Sequence, residues 1–458
     1  MAFRESDIDF GKIRKIISTE GAVVHFVGIG GVSMYSLAVM TLRLGCAVTG
    51  SDSADSQRFS SLRREGVKIT LGHSAESVRG ASLVVFTHAV SEDNPELLLA
   101  TELNIPIVSR ATYLGVLMLD YKKRIGVSGS HGKSTTTAML DAVFSHSGKS
   151  ASVLSGADLP IGEPYRLCGN DYLIYEACEY RDSFLRFSPT LAIALNLEYD
   201  HTDYFTDIRA LRESFANALS RAKIAVVNYD DENLNKIIKK IKARVITFGQ
   251  SAAADYRYRV VGFFDGGHEI EISRSGFPVG RFRINLPGVF NAQNATAAIV
   301  AALTMGLDAE RIREGLLSFH GISRRLEHIG DRYARHVFYD YAHHPTEIRC
   351  AIDTVRMLYG DSVTVIFAPH TYSRTKSLWD GFIRSLSLAD YIALLDIYPA
   401  REKPIEGINS RRLADEIGKK ATYLLKDELI SYIDRHTYGA IIVMGAGDMD
   451  EIKARIIE

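Results

Sequence analysis

A lysine framed by small residues can neutralise phosphate charge, and one stretch of this chain is built that way. Residues 126–140 read GVSGSHGKSTTTAML. A strict G-x-x-x-x-G-K-[ST] loop would place its first glycine at position 127, which is Val127; Gly129 stands closer instead, giving G-x-x-G-K-S. The chemistry survives that offset, because the turn follows an apolar strand pattern and opens a helical one. Backbone amides from Gly129, Ser130, His131 and Gly132 can cradle phosphate, and Lys133 can reach the β- and γ-phosphates of a nucleoside triphosphate. The Ser134 hydroxyl can ligate Mg2+, and Thr135 to Thr137 add hydroxyls at the same helix start.

A second glycine turn, GIGGVS, comprises Gly28, Ile29, Gly30, Gly31, Val32 and Ser33. It resembles G-x-G-x-x-G except at Ser33. Ser51 and Asp52 follow a second strand pattern, with Asp52 twenty-four positions after Gly28. One reading is a dinucleotide fold with Asp52 on a ribose. A more general reading is any nucleotide diphosphate held at a helix N-terminus. A third is a tight turn without a ligand.

Polar residues gather after other apolar runs. YEACEYRDSF carries Glu176 and Glu179, and NLEYDHTDYF carries Asn196, Glu198, Asp200, His201 and Asp203. Mg2+ prefers oxygen ligands and keeps several waters, so one carboxylate plus phosphates suffices. His201 could serve a second metal. Further on, YDYAHHPTE brings Asp340, His343 and His344, and APHTYSRT brings His370 and Arg374. A guanidinium such as Arg374 can hold a carboxylate through two parallel bonds. GISRRLEH supplies Arg324 and Arg325, which either reach toward phosphate or face solvent.

These residues need strands to present them. AVVHFV, CAVTGSD, SLVVFTHAV and IPIVSR read as strands of a first unit, with the helical SMYSLAVMTLRLG ending at Gly45. KRIGVSG, DYLIYEA, LAIALNLEYDH and IAVVNYDD read as strands of a second, followed by a strand-rich stretch over 245–287 with a hairpin at Gly266–Gly267 and the helix NAQNATAAIVAALTMG. HVFYDYA, VTVIFAP, DYIALLDIY, ATYLLK and AIIVMGAG read as strands of a third. Alternating strand and helix predicts parallel sheets covered by helices, with ligands at the carboxyl ends of the strands. The expectation is three α/β domains in series: residues 1–118 Rossmann-like, 119–322 a P-loop ATPase-type domain, and 323–458 again Rossmann-like.

The 458 residues are 46% hydrophobic and 24% charged, enough to bury several cores. The 54 Lys and Arg nearly balance the 55 Asp and Glu, so no basic excess points to nucleic acid. Cys46, Cys168, Cys178 and Cys350 form no C-x-x-C pair and are expected to be buried free thiols, which suits a reducing cytoplasm. The N-terminal segment has no apolar signal core, and no run is long enough to span a membrane.

Taken together, HFVGIGGVSM, SEDNPE, GSHGKSTTTAM, EACEYRDSF, NLEYDH, NAQNATAA, RRLEH, DYAHHPTE, PHTYSRT, YPAREKPIEG and GAGDMDEI resemble, in order and over nearly the whole chain, the Mur ligase family. GIGG together with HHPTE and PHTYSRT points to its alanine-adding branch. The resemblance implies an ATP-dependent amide ligase of cell-wall synthesis, acting on UDP-N-acetylmuramate and L-alanine through an acyl phosphate and a tetrahedral intermediate. The expectation is a cytoplasmic monomer or homodimer with no nucleic-acid partner and no membrane span. Gly28 to Val32, with Ser51 and Asp52, would hold the UDP diphosphate. Gly129 to Thr135 would hold the ATP phosphates, Asn291 and Asn294 would face adenine, and Arg325 and Asp340 would close on ATP. Lys133 would stabilise the transferring phosphoryl group. Ser134 and Glu176 would hold one Mg2+ and His201 a second, with Glu179 the alternative to Glu176. His343, His370 and Arg374 would position alanine. Against the family pattern, serine replaces threonine at Ser130 and Ser134, Phe290 replaces histidine, Tyr339 replaces aspartate, and Thr371 stands where arginine is common, leaving Arg374 alone on the carboxylate.

Rival readings are a peptide-adding relative, a nicotinamide-dependent oxidoreductase using Gly28 to Ser33 and Asp52, and a nucleotide-sugar sensor with a dead ATP site. The oxidoreductase leaves Lys133, Ser134 and Arg374 without a role, and an intact Gly132-Lys133-Ser134 argues against the sensor.

Overall fold

The computed structural model describes residues 5–457 except 265, 361, 401, 437, 438 and 448. Arg401 of the YPAREKPIEG segment and Asp448 of GAGDMDEI thus lie outside the described residues. Three sheets follow one another along the chain. The first holds β1 (Val23–Val27), β2 (Ala47–Asp52), β3 (Lys68–Leu71), β4 (Leu83–Phe86) and β5 (Ile107–Ser109), in the order β3-β2-β1-β4-β5 with every pair parallel. β1 and β4 are buried almost throughout, as parallel strands covered on both faces must be. The strand order reverses beside β1, so a crevice opens at its carboxyl end, where Gly28 turns the chain into the helix Val32–Arg43. That helix ends at Leu44, and Gly45 follows at φ +87°, a left-handed stop that suits glycine.

The second sheet is the largest. Its strands are β6 (Lys123–Ser128), β7 (Ala151–Leu154), β8 (Tyr165–Arg166), β9 (Tyr172–Glu176), β10 (Leu191–Ala194), β11 (Ile224–Asn228), β12 (Arg244–Gly249), β13 (Tyr256–Phe264), β14 (Gly267–Arg274) and β15 (Phe277–Ile284). The order is β15-β14-β13-β12-β11-β10-β6-β9-β7-β8. β6, β7 and β9 to β12 form the parallel body with β6 between β9 and β10, β8 runs antiparallel at one edge beside β7, and β13–β15 add an antiparallel meander at the other. From β6 the chain runs first to the β7 side and later returns through β10 on the other. The loop after β6 is therefore flanked by the loops after β9 and β10. Helix Lys133–His146, which starts at that loop, packs against Val289–Thr304 and Ala309–Leu317. Ala292, Ala295, Ala298 and Ala302 are fully buried on the second of these, and Gly315 on the third meets the Val143 backbone so closely that a Cβ would lie 2.5 Å from Val143 Cα. Small residues bring the helices together and fix the helix that follows the glycine loop in place.

The third sheet holds β16 (Glu327–Arg332), β17 (Arg335–Asp340), β18 (Val363–Phe367), β19 (Tyr391–Leu394), β20 (Ala421–Tyr423) and β21 (Ala440–Met444), in the order β16-β17-β21-β18-β19-β20. Only β16 runs antiparallel. Separate apolar clusters line its two faces. Asp340 is the last residue of β17, and His370 sits just past the carboxyl end of β18.

One expectation needs correction. All four cysteines are free, but only Cys46 is buried; Cys168 is exposed, and Cys178 and Cys350 are half-buried. Cys168 lies in the loop after the two-residue edge strand β8, where small neighbours reflect a turn and not a core. No described helix is long and apolar enough to cross a membrane.

Candidate active site

The glycine loop after β6 takes its shape from two left-handed glycines. Gly129 sits at φ +143° and Gly132 at φ +82°, the latter opening the helix Lys133–His146. A Cβ on Gly132 would lie 2.5 Å from Asn294 Oδ1, so the position has neither the conformation nor the space for a side chain. Asn196, from the loop after β10, braces the turn: its Oδ1 accepts from the His131 amide at 2.8 Å and its Nδ2 donates to the His131 carbonyl at 3.1 Å. Ser130 Oγ donates to the Glu198 carbonyl and accepts from the Glu198 amide.

Lys133 curls back over this loop. Its Nζ donates to the Gly129 carbonyl at 2.5 Å and lies 3.1 Å from Glu179 Oε1. Glu179 is almost fully buried and also meets His201 Nε2 at 3.4 Å. Burial alone would raise the Glu179 carboxyl, but Lys133 and His201 outweigh it and hold the group near about 2. Glu176 faces elsewhere: its Oε1 accepts from the Ser155 hydroxyl at 3.1 Å and from the Gly156 amide. Ser134 is buried in the first turn of the helix. The Lys133, Glu179 and His201 side chains thus form one connected group, and Glu176 stands outside it.

Third-domain residues close over the same loop. Helix Pro345–Tyr359 begins with a capping box in which Glu347 accepts from the His343 amide at 3.0 Å and the His344 amide at 3.2 Å. Glu347 Oε1 also takes His131 Nδ1 at 2.9 Å, while Thr346 donates to Glu198 Oε2 at 2.6 Å. His131 is therefore held between two carboxylates. Burial opposes its charge, but Glu347 and Glu198 push it up to about 9. Its neighbour His344, at a ring separation of 4.8 Å, is pushed down to about 4 by burial and by that imidazolium. His343 is also held below its usual range by burial; its Nδ1 donates to the Tyr341 carbonyl at 3.0 Å, which leaves the lone pair on Nε2.

Arg374, on the short helix Tyr372–Ser377, forms a two-bond ion pair with Asp200 across the cleft. Nε reaches Oδ1 at 3.0 Å and Nη2 reaches Oδ2 at 3.2 Å, and each side chain is only 13% exposed. Nη1 contacts His370 Nδ1 at 3.0 Å. Despite burial, Arg374 and then His201 keep Asp200 well below the usual carboxylate range. Two side-chain-bearing residues beside this pair are left-handed, His201 at φ +53° and Thr371 at φ +64°. Such conformations persist where surrounding contacts enforce them, and they cluster at functional sites.

A cavity of about 1070 Å³ runs from the glycine loop to the junction of the second and third sheets. His131, Gly132, Thr135, Asn291, Asn294, Arg325 and Asp340 line it together. Asn294 Nδ2 donates to Asn291 Oδ1 at 3.3 Å, and Asn291 Nδ2 donates to the Pro287 carbonyl. Asp340 accepts the amides of Leu326 at 2.8 Å and Ala342 at 2.7 Å; burial pushes it up to about 6, against the pull of Arg325.

The first glycine turn lies apart. The Gly28 and Ile29 amides donate to the Ser51 carbonyl at 2.8 and 3.0 Å, and the Gly30 amide donates to Asp52 Oδ2 at 2.9 Å. These three amides shape the loop. Gly31 caps the helix, and the first-turn amides of Val32 and Ser33 have no intrahelical acceptor. Ser51 is fully buried, its hydroxyl donating to Glu96 at 2.6 Å. Glu96 also meets His73 at 3.0 Å, so a buried carboxylate braces the turn from behind. Glu96 and Glu347 were not named by sequence reasoning, and Glu198 and Asp200 were named only among the acids that follow a strand, without a partner. Glu347 had a visible signal, since HHPTE places an acid three residues after a histidine cap.

Comparison with known proteins follows the same three-part division. Residues 23–122 match the profile described as "Mur ligase family, catalytic domain", 127–302 "Mur ligase middle domain", and 324–449 "Mur ligase, glutamate ligase domain". A UDP-N-acetylmuramate–L-alanine ligase from Acetivibrio thermocellus is 40% identical over 441 residues, 94% of each chain. One from Caldicellulosiruptor saccharolyticus is 38% identical over 443 residues, 94% of this chain and 97% of the relative. The crystal structure of a UDP-N-acetylmuramate–alanine ligase from Thermotoga maritima superposes with a TM-score of 0.81 at 28% identity, covering 95% of this chain and 98% of that one. With all three profiles in order along it and close relatives over nearly its full length, the chain belongs to the Mur ligase family.

Proposed function

We propose that this chain joins L-alanine to the lactyl carboxylate of UDP-N-acetylmuramate, with ATP converted to ADP and phosphate, as a cytoplasmic step of peptidoglycan precursor synthesis. Four free cysteines suit that compartment. The observation that carries the reading is the shared cleft: the Lys133–Glu179–His201 group at the glycine loop opens toward the Arg374–Asp200 pair of the third domain. A nucleotide phosphate and an amino-acid carboxylate would thus meet in one place. In this division of labour, residues 1–118 bind the nucleotide sugar, 119–322 bind ATP, and 323–458 bind the amino acid and close.

The ATP phosphates lie along Gly129 to Thr135, with the base toward Asn291 and Asn294 and with Arg325 and Asp340 closing the cavity. The diphosphate of the sugar nucleotide meets the turn of Gly28 to Val32, chiefly at the helix start, with Ser51 and Asp52 holding the loop. The lactyl carboxylate oxygen attacks the γ-phosphorus, and ADP leaves. Lys133 moves from the Gly129 carbonyl to the transferring phosphoryl oxygens, where a preplaced cation is worth most. The alanine ammonium first gives one proton to His343 Nε2, the freed amine attacks the acyl carbon, and the tetrahedral intermediate expels phosphate, which carries off the second nitrogen proton. Arg374, with His370 beside it, binds the alanine carboxylate. The donor set fits magnesium: Ser134 Oγ and the Glu179 carboxylate would hold one ion, with His201 beside a second, and such ions neutralise phosphate charge. Glu179 suits this better than Glu176, whose Oε1 already serves Ser155 and Gly156.

The test is phosphate release with UDP-N-acetylmuramate, ATP, Mg2+ and single amino acids. Release should require the nucleotide sugar and favour alanine over glycine and serine. Release that ignores the amino acid, or that proceeds equally with all three, would overturn the reading.

A further inference from the structure

The Arg374–Asp200 pair does more than join two domains. Three of the five guanidinium N–H groups are engaged: Nε and Nη2 form a side-on fork to Asp200, and Nη1 meets His370. A ligand carboxylate that takes this Nε–Nη2 fork must displace Asp200. That leaves one largely buried carboxylate without its partner, close to a second negative charge, which is strongly disfavoured. A free amino acid avoids the problem because it brings its own cation.

We propose that Asp200 is the ammonium-binding half of a two-charge subsite for a zwitterion. Arg374 exchanges Asp200 for the incoming carboxylate, and Asp200 accepts the α-ammonium in place of the guanidinium. The net charge of the pocket does not change during the exchange. Position supports the assignment. Asp200 directly precedes His201, whose Nε2 is 3.4 Å from Glu179, which in turn lies 3.1 Å from Lys133 Nζ. Nitrogen anchored on Asp200 therefore lies on the phosphate side of the cleft, and the carboxylate anchored on Arg374 lies on the third-domain side. The backbone holds both partners firmly, with left-handed His201 and Thr371 flanking them. The ion pair also acts as a filter, since a ligand with one charge satisfies one partner and strands the other.

This rests on the amino-acid role proposed for Arg374, so the experiment separates the two. Binding of L-alanine, L-lactate and ethylamine is measured by calorimetry on the full chain with ADP, Mg2+ and UDP-N-acetylmuramate present, alongside turnover. Alanine is expected to bind at least about 30-fold more tightly than either single-charge analogue, the size of effect seen when a buried charge loses its partner. Asp200→Asn is expected to raise the alanine KM by roughly 30-fold or more, on the same ground, while the ATP and UDP-sugar KM values stay nearly constant. The same variant should bind lactate more tightly than wild type does, and Asp200→Glu should restore part of the alanine preference. A residue that merely braced Arg374 would weaken alanine and lactate in parallel; that result, or an unchanged alanine KM, overturns the proposal. Alanine preferred over both analogues without amide formation would keep the subsite and defeat the proposed reaction. Amide formation with lactate bound as tightly as alanine would keep the reaction and defeat the subsite.

Discussion

Lys133 keeps its charge in a confined place because Glu179 shares it. Burial works against the ammonium, yet Glu179 more than compensates and raises its affinity for the proton. Removing the lysine therefore does two things. Lys133→Ala is expected to slow turnover by at least about 100-fold, the usual cost of losing a charge-stabilising donor. It should also lower the melting temperature, since breaking a buried ion pair is destabilising and leaves Glu179 with only His201, at 3.4 Å, as a cationic neighbour. Glu179→Gln added to Lys133→Ala should recover much of that melting temperature and none of the turnover, read by thermal melts beside the phosphate assay. His131 gives a pH signature of the opposite kind. Its folded value near 9 exceeds the 6.5 of a free histidine, so its stabilisation is complete below about pH 6.5 and is lost as pH rises through about 9. Melting temperature is expected to drop by roughly 5 °C across that window, and His131→Gln should flatten the drop. A wild-type melt that stays level from pH 6.5 to 9 would contradict the pairing with Glu347 and Glu198.

At the scale of elements, the site is a set of strand ends and helix starts. Gly132→Ala tests the most constrained of them. It forces a Cβ into a left-handed turn and against Asn294, so the ATP KM is expected to rise by more than about tenfold while circular dichroism stays native. The strands that carry β6, β9, β10, β17 and β18 were readable from the sequence because parallel strands are continuous apolar runs. β16 was not, since EHIGDR has no such run and pairs only along one edge of the sheet. The same limit applied to side chains. The residues after each strand could be named, but spacing along the chain does not say that Glu179 turns toward Lys133 while Glu176 turns toward Ser155. That choice is made by the kinked segment Tyr180–Arg186, where Arg181 and Asp182 adopt left-handed angles that no local pattern announced. Likewise, Asp200 beside Arg374 and Glu347 beside His131 come from another domain, more than a hundred residues away in sequence.

For the whole molecule, hydrogen bonds among the described residues tie the second domain to the third from His131 to Glu347, Glu198 to Thr346, Asp200 to Arg374, and Thr202 to Ser377, and His344 also lies 3.3 Å from Glu198. Most of these contacts surround the glycine loop or the Arg374–Asp200 pair, so the domain contacts and the proposed ligand sites share residues. Glu347→Ala is expected to open the cleft, seen as a larger radius of gyration by small-angle scattering, with ATP and UDP-N-acetylmuramate drawing it back. A radius unchanged by the substitution would show that apolar packing alone holds the domains. Between the two sheets the chain passes once, through residues 318–326, and there Arg324 is held at φ +65° and Leu326 at φ +46°. Each such angle stores about 1–3 kcal/mol. What keeps them wound is the Arg324 stack on Tyr341, at 4.5 Å, and the grip of Asp340 on the Leu326 amide. The strap is therefore held against its own strain by Asp340, a carboxylate that also lines the large cavity, so a substitution that removes this side chain would let the strap unwind.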